Sequence, residues 1–393
     1  MGLVAAIVGL ALLVMIHEAG HFFAARAVGM TPRKFYLGFG PPIVKTVRGG
    51  VEYGIGSLPL GGYVKIPGMN RPSPGDLTAS LQPAARQRLQ PELARLDVAL
   101  ERGDDEGAQG ALEELRPALG KSRMWQELEW SLAPDAYWRQ ATWKRLVAIT
   151  AGPAVNLVFA FILFAVLFMV ASTRDTNVIG TVVTGTPAAA SGLHAGDQVL
   201  RVAGVAVTPK EIPAHIRATD GRPFRLVVLR HGHRVTIGPV RAKLSQGAYR
   251  IGIAIEARTG PGESVPRAAI DSVRLTWDVT SSTVSGLTHL ARGRDTNQVS
   301  SSVGIVRVSA QAWRQGLRDF LFVLGLISLA LGLLNLLPVL PLDGGHIVMA
   351  LVEKVRGRTF AQAVYVRYSM IGLTLFAVLM YFGLRNDLFG GGG

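Results

Sequence analysis

The sequence contains no cysteine, so disulfide bonds, thiolate zinc sites and a cysteine nucleophile are all excluded. Charged residues are also scarce, at 17% of the 393 residues, whereas hydrophobic residues make up 49%. This balance is too apolar for an ordinary soluble domain and is typical of a chain with several membrane spans. Any metal ion bound by this chain must be held by histidine, aspartate or glutamate.

Four apolar segments have about the length that a helix needs to cross roughly 30 Å of hydrocarbon. They cover residues 2–26, 146–172, 320–342 and 368–384, of which the last is the shortest. No basic residue precedes the first segment and no small-residue cleavage pattern follows it, so we expect a retained span and not a removed signal peptide. The sequence therefore predicts a polytopic α-helical membrane protein with about four transmembrane helices.

Basic residues outnumber acidic residues and give a net charge of +14. Because no nucleic-acid recognition motif accompanies this charge, we expect contact with the lipid bilayer and no nucleic-acid partner. Clusters of basic residues follow span one, precede span two and lie between spans three and four: Arg26, Arg33, Lys34, Lys45, Arg48, Lys65, Lys144, Arg145, Lys354, Arg356, Arg358 and Arg367. The positive-inside rule then places residues 71–141 in the cytoplasm, and residues 173–319 and both termini outside.

Four segments outside the spans have patterns of their own. Residues 177–256 follow the order strand, proline turn, short helix, Gly-Asp turn and strand, and then a helix and a hairpin, which predicts a compact β-rich domain. An amphipathic helix over residues 266–291 is expected to pack on this domain or on the bilayer surface. Residues 81–119 predict a helical hairpin with a break from Gly103 to Gly107, and the glycine-rich residues 30–68 predict a β-hairpin against the spans.

The predicted organisation has six parts. These are the first span with the sequence HEAGH and the glycine-rich β-hairpin, called here the β-loop (1–70), a cytoplasmic helical-hairpin insertion (71–141), the second span (142–173), the β-rich domain (177–256), amphipathic linker helices (262–318), and the third and fourth spans (319–393).

The sequence HEAGH, residues 17–21, lies inside the first apolar segment. Histidines at i and i+4 share one helix face and can bind one zinc ion, while a glutamate beside the first can reach the water on that ion. The composition predicts only about 0.005 chance occurrences of H-E-x-x-H, so the motif is specific. The alternative is a set of polar residues whose hydrogen bonds are satisfied at a helix end.

A catalytic zinc ion usually has three protein ligands, so a third ligand must be found. The soluble-type extension, with a histidine six residues after the second, is absent because residue 27 is alanine. The best candidate is Asp343, which follows Pro338 and Pro341 at the end of an uncharged stretch where the helix must break. His346 is a rival ligand, and a carboxylate that only caps the following helix is a second alternative.

Beyond these residues, the chain resembles the site-2 proteases, a family of intramembrane zinc metalloproteases, and within it the bacterial regulator-of-sigma-E protease type. HEAGH matches the family motif HExxH, and LNLLPVLPLDGG matches its Asn-x-x-Pro and Leu-Asp-Gly motif. AGPAVNLVFA (residues 151–160) matches Gly-Pro-x-x-Asn in span two, and GSLPLGGYVKIPGM matches the membrane-associated β-loop. Residues 178–255 resemble a PDZ domain, so the implied fold includes an inserted PDZ-like α/β domain.

The resemblance implies one zinc ion per chain and a role for each matching residue. The implied zinc ligands are His17, His21 and Asp343, and the implied general base is Glu18. The positions implied for substrate contact are Asn335, Pro338 and the β-loop glycines Gly61 and Gly62.

The implied activity is that of an intramembrane zinc endopeptidase in the bacterial inner membrane. Its substrates would be single-span membrane proteins, such as an anti-sigma factor in regulated intramembrane proteolysis, or remnant signal peptides. Three alternatives stay open: a non-catalytic scaffold that binds exposed C-termini, a transporter with broken helices, and a membrane-tethered zincin of the soluble type.

The PDZ-like domain is expected to filter substrates. Either its groove binds a C-terminal peptide, with Ile179 and Gly180 capping the carboxylate opposite a 210–218 helix, or the domain only blocks access to the site. The chain departs from the family pattern in three places: it has room for one PDZ domain and not two, it contains the 81–119 hairpin, and SSVGIV before span three lacks a proline.

Overall fold

The computed structural model describes residues 1–72, 83–102, 104–119, 123–245, 248–292 and 301–389. They form two compact units. Unit 1 consists of Met1–Phe164 and Ser272–Gly393, and unit 2 consists of Ala165–Asp271. The helices are α1 (Gly2–Ala27), α2 (Pro83–Arg102), α3 (Asp105–Leu119), α4 (Arg123–Leu132), α5 (Thr142–Val170), α6 (Pro187–Ala190), α7 (Ile212–Arg217), α8 (Val265–Ala291), α9 (Ser302–Gln315), α10 (Leu317–Asn335), α11 (Asp343–Arg356) and α12 (Gln362–Phe389). The strands are β1 (Lys34–Arg48), β2 (Val51–Lys65), β3 (Ala171–Val182), β4 (Gln198–Val202), β5 (Val205–Ala206), β6 (Phe224–Arg230), β7 (His233–Val240), β8 (Lys243–Ser245), β9 (Ala248–Arg250) and β10 (Ile253–Pro261).

Helices α1, α5, α10 and α12 are long and apolar enough to cross a membrane, and they are the four such helices in the described part of the chain. The prediction of four spans is therefore confirmed, but the third ends earlier than predicted. Helix α10 stops at Asn335, and residues 336–342 form tight turns before α11 begins. Pro338 and Pro341 lack the N–H groups that a continuing helix needs, which explains the early end.

Small residues bring the spans of unit 1 together. A Cβ atom added at Gly20 of α1 would lie 2.7 Å from the Ala151 carbonyl oxygen of α5. One added at Gly332 of α10 would lie 3.0 Å from the Pro153 carbonyl oxygen of α5. Helices in membranes approach closely where glycine exposes their backbone, so these two glycines fix α1 and α10 on α5.

The predicted β-hairpin of residues 30–68, the β-loop, is present as β1 and β2. The first part of β1 pairs on both of its sides, because Phe35 lies opposite Tyr53 and also opposite Val64. The two strands are thus bent into a sheet of four short segments. Residues 62–65 form one edge, which pairs with the first part of β1 and with no other strand in the described residues. This edge lies against α1, as a Cβ atom added at Gly62 would be 3.3 Å from both Val14 and Glu18.

Helices α2, α3 and α4, called here the insertion, share one apolar core. The leucines expected on one face of a helical hairpin are buried in it: Leu89, Leu93, Leu96 and Leu100. The predicted break from Gly103 to Gly107 is shorter in the structure, because the Asp104 carboxylate accepts from the Gly107 amide and α3 begins at Asp105. Gly103 and residues 81–82 lie outside the described residues. Helix α4, which the sequence patterns did not predict, adds Trp125, Leu128 and Leu132 to the core.

Unit 2 is the inserted β-domain. Its main sheet is antiparallel, with strand order β10-β3-β4-β6-β7 and with β5 on β4. The β3–β10 ladder runs out to Ala171 and Pro261, so the sheet extends beyond residues 177–256. Helices α6 and α7 complete a core built from Ile179, Val199, Leu226 and other aliphatic residues. The helix predicted over residues 266–291 is present as α8, which belongs to unit 1 from Ser272 onward, and its apolar stripe is exposed at Val273, Trp277 and Val284.

Candidate metal centre and active site

Three side chains from distant parts of the sequence meet in unit 1. His17 and His21 lie one turn apart on α1, and Asp343 is the first residue of α11. The Asp343 Oδ2 atom is 3.2 Å from His17 Nε2 and 3.4 Å from His21 Nε2, and the two Nε2 atoms are 3.3 Å apart. Both histidines are 7% exposed, so the group is shielded from solvent.

The three ligand atoms form a triangle that suits a tetrahedral zinc ion. Ligand atoms about 2.0–2.1 Å from such an ion lie roughly 3.3–3.4 Å from one another, and the observed edges are 3.2–3.4 Å. The Nδ1–H of His21 donates to the Ala148 carbonyl oxygen at 2.9 Å, so in the neutral ring, the form that binds metal, the lone pair of Nε2 faces the group. The buried Asp343 Oδ2 has no hydrogen-bond donor among the described residues. A metal ion would satisfy all three atoms, so the donor set fits zinc.

Helix α5 holds His21 in place through a glycine. Any Cβ atom at Gly152 would collide with the His21 ring. Because α5 also offers the Ala148 carbonyl oxygen to the same ring, one turn of α5 fixes both the position and the tautomer of His21. Sequence reasoning matched Gly152 only as part of a motif and gave it no role at the metal centre.

The break after α10 brings Asp343 to the histidines. Gly344 and Gly345 follow it, and a Cβ atom on either would collide with backbone atoms of residues 336–340. The two glycines thus allow α11 to begin directly against the turns that follow α10. His346, the rival ligand, is not part of the group and its ring stacks on Tyr365 at 5.8 Å.

Glu18 lies between the metal-ligand group and the β-loop. Its carboxylate is close enough to interact electrostatically with His17, His21 and Asp343, and its side chain reaches the edge of β2 near Val64. Gly62, two residues earlier on the same edge, lies beside the Glu18 side chain. The β-loop therefore contacts the carboxylate that was predicted to act as the base.

The other predicted substrate positions of unit 1 have different surroundings. Asn335 is the last residue of α10, and its side-chain amide donates to the Leu331 carbonyl oxygen at 2.9 Å. Pro338 lies in the break between α10 and α11. Gly61, which has a φ of +79°, lies under the Phe39 ring in the β-loop.

The structure contradicts the predicted carboxylate cap at Ile179 and Gly180 in unit 2. Strand β3 is an inner strand, paired with β10 on one side and β4 on the other, so no peptide can add to it. The Ile179 amide already donates to the Asp197 carbonyl oxygen at 2.8 Å, and Gly180 lies against Glu256 of β10. The open groove of unit 2 lies instead between α7 and the edge strand β10 and has a volume of about 440 Å³.

Comparison with known proteins agrees with this site. A family model for Peptidase family M50 matches residues 5–379. The chain belongs to Peptidase family M50, the site-2 proteases.

Similar proteins cover nearly the whole chain. Metalloprotease MmpA of Caulobacter vibrioides is 27% identical over 96% of this chain and 93% of its own length. A protein of Agrobacterium fabrum whose name describes a zinc metalloprotease is also 27% identical, with the same coverage. The protease named Eep of Enterococcus faecalis is 27% identical over 96% of each chain. The chain is a membrane metalloprotease of this family.

Proposed function

We propose that this M50 protein is an intramembrane zinc endopeptidase that cuts single-span membrane proteins in or near their transmembrane segment. The observation that carries the proposal is the triangle of His17, His21 and Asp343, which lies beside Glu18 on a helix apolar enough to span a membrane. Strongly polar groups at that depth cost about 2.5–3.5 kcal/mol each, so a chain that keeps four together uses them.

Each residue has one task in the proposed reaction. His17, His21 and Asp343 would hold one zinc ion, which supplies a Lewis acid that polarises the scissile carbonyl and activates water for attack. Glu18 takes the proton from the attacking water and passes it to the leaving amide nitrogen. The β2 edge at Gly62 lies beside the Glu18 side chain and limits its position for both steps.

The β-loop edge at residues 62–65 is the proposed guide for the substrate. A transmembrane helix hides its carbonyl groups in hydrogen bonds, so it must unwind before water can attack. An unwound strand can pair with an exposed strand edge. This edge lies beside Glu18 at Gly62, so a paired substrate would run past the proposed base.

Unit 2 is proposed to be a PDZ-like filter outside the bacterial inner membrane, with the insertion in the cytoplasm. The groove between α7 and β10 would take an extended peptide as an added strand on β10. The cap for a C-terminal carboxylate then moves from Ile179 and Gly180 to the start of β10, near Gly252. Either the groove selects substrates by an exposed C-terminus, or the unit only blocks access to the site for substrates with large outer domains.

The test is cleavage of defined substrates in liposomes. The purified protein, with Glu18→Gln as the control, is incubated with a panel of single-span helices, and each cut is mapped by mass spectrometry. We expect cuts within or beside the apolar segment, loss of cutting after chelation, and recovery with added zinc. The absence of any cut by zinc-loaded wild type would favour the scaffold hypothesis, whereas cuts that persist in Glu18→Gln would contradict the role of Glu18 as the general base.

A further inference from the structure

The insertion and the residues after it contact the β-loop at the residues where its two strands begin and end. Lys65, the last residue of β2, extends its ammonium group to α4. Its Nζ donates to the Glu127 carboxylate and lies 5.3 Å from the centre of the Trp130 ring. Helix α4 thus provides both an anionic and an aromatic partner for one lysine.

The segment after α4 contacts the same end of the β-loop through residues just before β1 and just after β2. Arg33, just before β1, donates to the Asp135 carboxylate at 2.8 Å, and the Thr31 amide donates to the second oxygen of that carboxylate at 3.1 Å. The Tyr137 amide donates to the Pro67 carbonyl oxygen at 2.8 Å, just after β2. Both strands of the β-loop are therefore held where they leave the sheet.

The same end of β2 also lies near Glu18, the proposed general base. Gly62 lies three residues before Lys65 on the same edge, and a Cβ atom added to it would be 3.3 Å from the Glu18 side chain. Neighbouring residues of a strand point to opposite faces. The Val64 side chain packs with Ala25 and Ile66, while the Lys65 side chain extends to α4. Movement of Lys65 would therefore displace the strand edge that lies beside Glu18.

We propose that Lys65, held by its contacts with Glu127 and Trp130, is a positioning residue for Glu18. These contacts hold the edge at residues 62–65 beside the Glu18 side chain, and they couple the insertion to the rate of proteolysis. This inference rests on the proposed role of Glu18 as the general base. A base displaced by a fraction of an ångström loses rate because the reacting geometry is narrow, even when the fold is unchanged.

The strength of the contact separates this role from plain stabilisation. The Lys65 and Glu127 side chains are 32% and 53% exposed, and ion pairs as exposed as this contribute little to folding. Their loss should leave the unfolding temperature nearly unchanged. A selective effect on kcat would then reflect the position of Glu18 and not the stability of the protein.

The experiment uses the full-length protein in liposomes with a single-span substrate. The variants are Lys65→Met, Glu127→Gln and the conservative Lys65→Arg. Glu114→Gln is the matched control, because it breaks an exposed ion pair with Arg95 inside the insertion. For Lys65→Met and Glu127→Gln we expect kcat to fall about tenfold with KM changed by less than about twofold. Lys65→Arg should keep most of the rate, and Glu114→Gln should match wild type.

Hydrogen–deuterium exchange gives a second readout that does not depend on turnover. Peptides that cover residues 60–66 should exchange faster in Lys65→Met and Glu127→Gln, and at the wild-type rate in Glu114→Gln. Wild-type kcat and wild-type exchange in Lys65→Met would overturn the positioning role, as would equal losses in Glu114→Gln. If zinc-loaded wild type cuts nothing, the proposed function fails, but the exchange still tests the Lys65 contact. If Lys65→Met does not fold, Glu127→Gln and Lys65→Arg decide the outcome.

Discussion

The ring of His21 occupies the space that a side chain at Gly152 would fill. Two spans, α1 and α5, are therefore in contact at the metal centre itself. The close approach also lets the Ala148 carbonyl oxygen accept from the His21 ring. The Gly-Pro-x-x-Asn motif of α5 thus shapes the metal site although it supplies no ligand.

Gly152→Ala should weaken metal binding. The added methyl group would push the His21 ring out of the triangle, and loss of the ring's supporting contacts typically lowers metal affinity by about 10- to 100-fold. The measurement is zinc content after dialysis against a graded chelator. Gly110→Ala is the control, because a Cβ atom at this helical glycine meets no atom within 4 Å. Equal zinc retention in both variants would contradict the role given to Gly152.

The topology can be tested by cysteine labelling, since the chain has no cysteine of its own. The positive-inside rule predicts that a cysteine at Gly110 is labelled only after the cells are permeabilised. A cysteine at Val205, which is exposed in unit 2, should be labelled from outside intact cells. Labelling of position 110 in intact cells would reverse the proposed orientation.

The groove of unit 2 leads to a prediction about peptide binding. Val183 lines it and is exposed, so Val183→Trp should fill the groove and abolish binding of free C-terminal peptides. Val205→Trp, an exposed valine of the same unit that does not line the groove, is the control. Fluorescence anisotropy with labelled peptides measures the affinity. If wild type binds no C-terminal peptide, the domain acts by blocking access alone.

Unit 2 should lose stability in acid through one ion pair. Burial would raise the pKa of Asp197, but hydrogen bonds from Arg230 and from the His194 amide outweigh burial and lower the pKa below its ordinary 3.8. A lowered pKa stabilises the fold above the unfolded value of about 3.9, and this stability is lost as pH falls through the folded pKa.

Asp197→Asn should therefore destabilise unit 2 by about 2 kcal/mol at pH 7 and reduce its sensitivity to pH below 5. Asp220→Asn, at an exposed position of the same unit, is the control. Hydrogen exchange of unit 2 in the full-length protein between pH 7 and pH 3 checks the prediction. An unchanged acid transition in Asp197→Asn would assign the pH dependence to other groups.

Local patterns in the sequence predicted much of unit 1. The apolar segments predicted four spans, and the spacing of His17 and His21 predicted their shared helix face. The prolines before Asp343 predicted the break that brings it to the histidines. These features depend on the chemistry of neighbouring residues, which is why a single sequence reveals them.

Contacts between distant segments were harder to predict. Strand β10 covers β3 from a position more than seventy residues later in the chain, so the predicted cap at Ile179 placed the groove on the wrong strand. The contact of Gly152 with His21 and the ion pair of Glu127 with Lys65 likewise depend on the packing of distant segments. The pattern of hydrophobic residues around either partner does not indicate such a contact.

The most direct test measures zinc content and cleavage on the same preparations of wild type, Glu18→Gln and Asp343→Ala. Wild type should contain about one zinc ion per chain and cut a single-span helix, whereas Asp343→Ala should lose both zinc and cutting. Glu18→Gln should keep the zinc and lose all cutting, because an amide cannot accept the proton from water. Full zinc content in Asp343→Ala, or retained cutting by Glu18→Gln, would contradict the proposed centre.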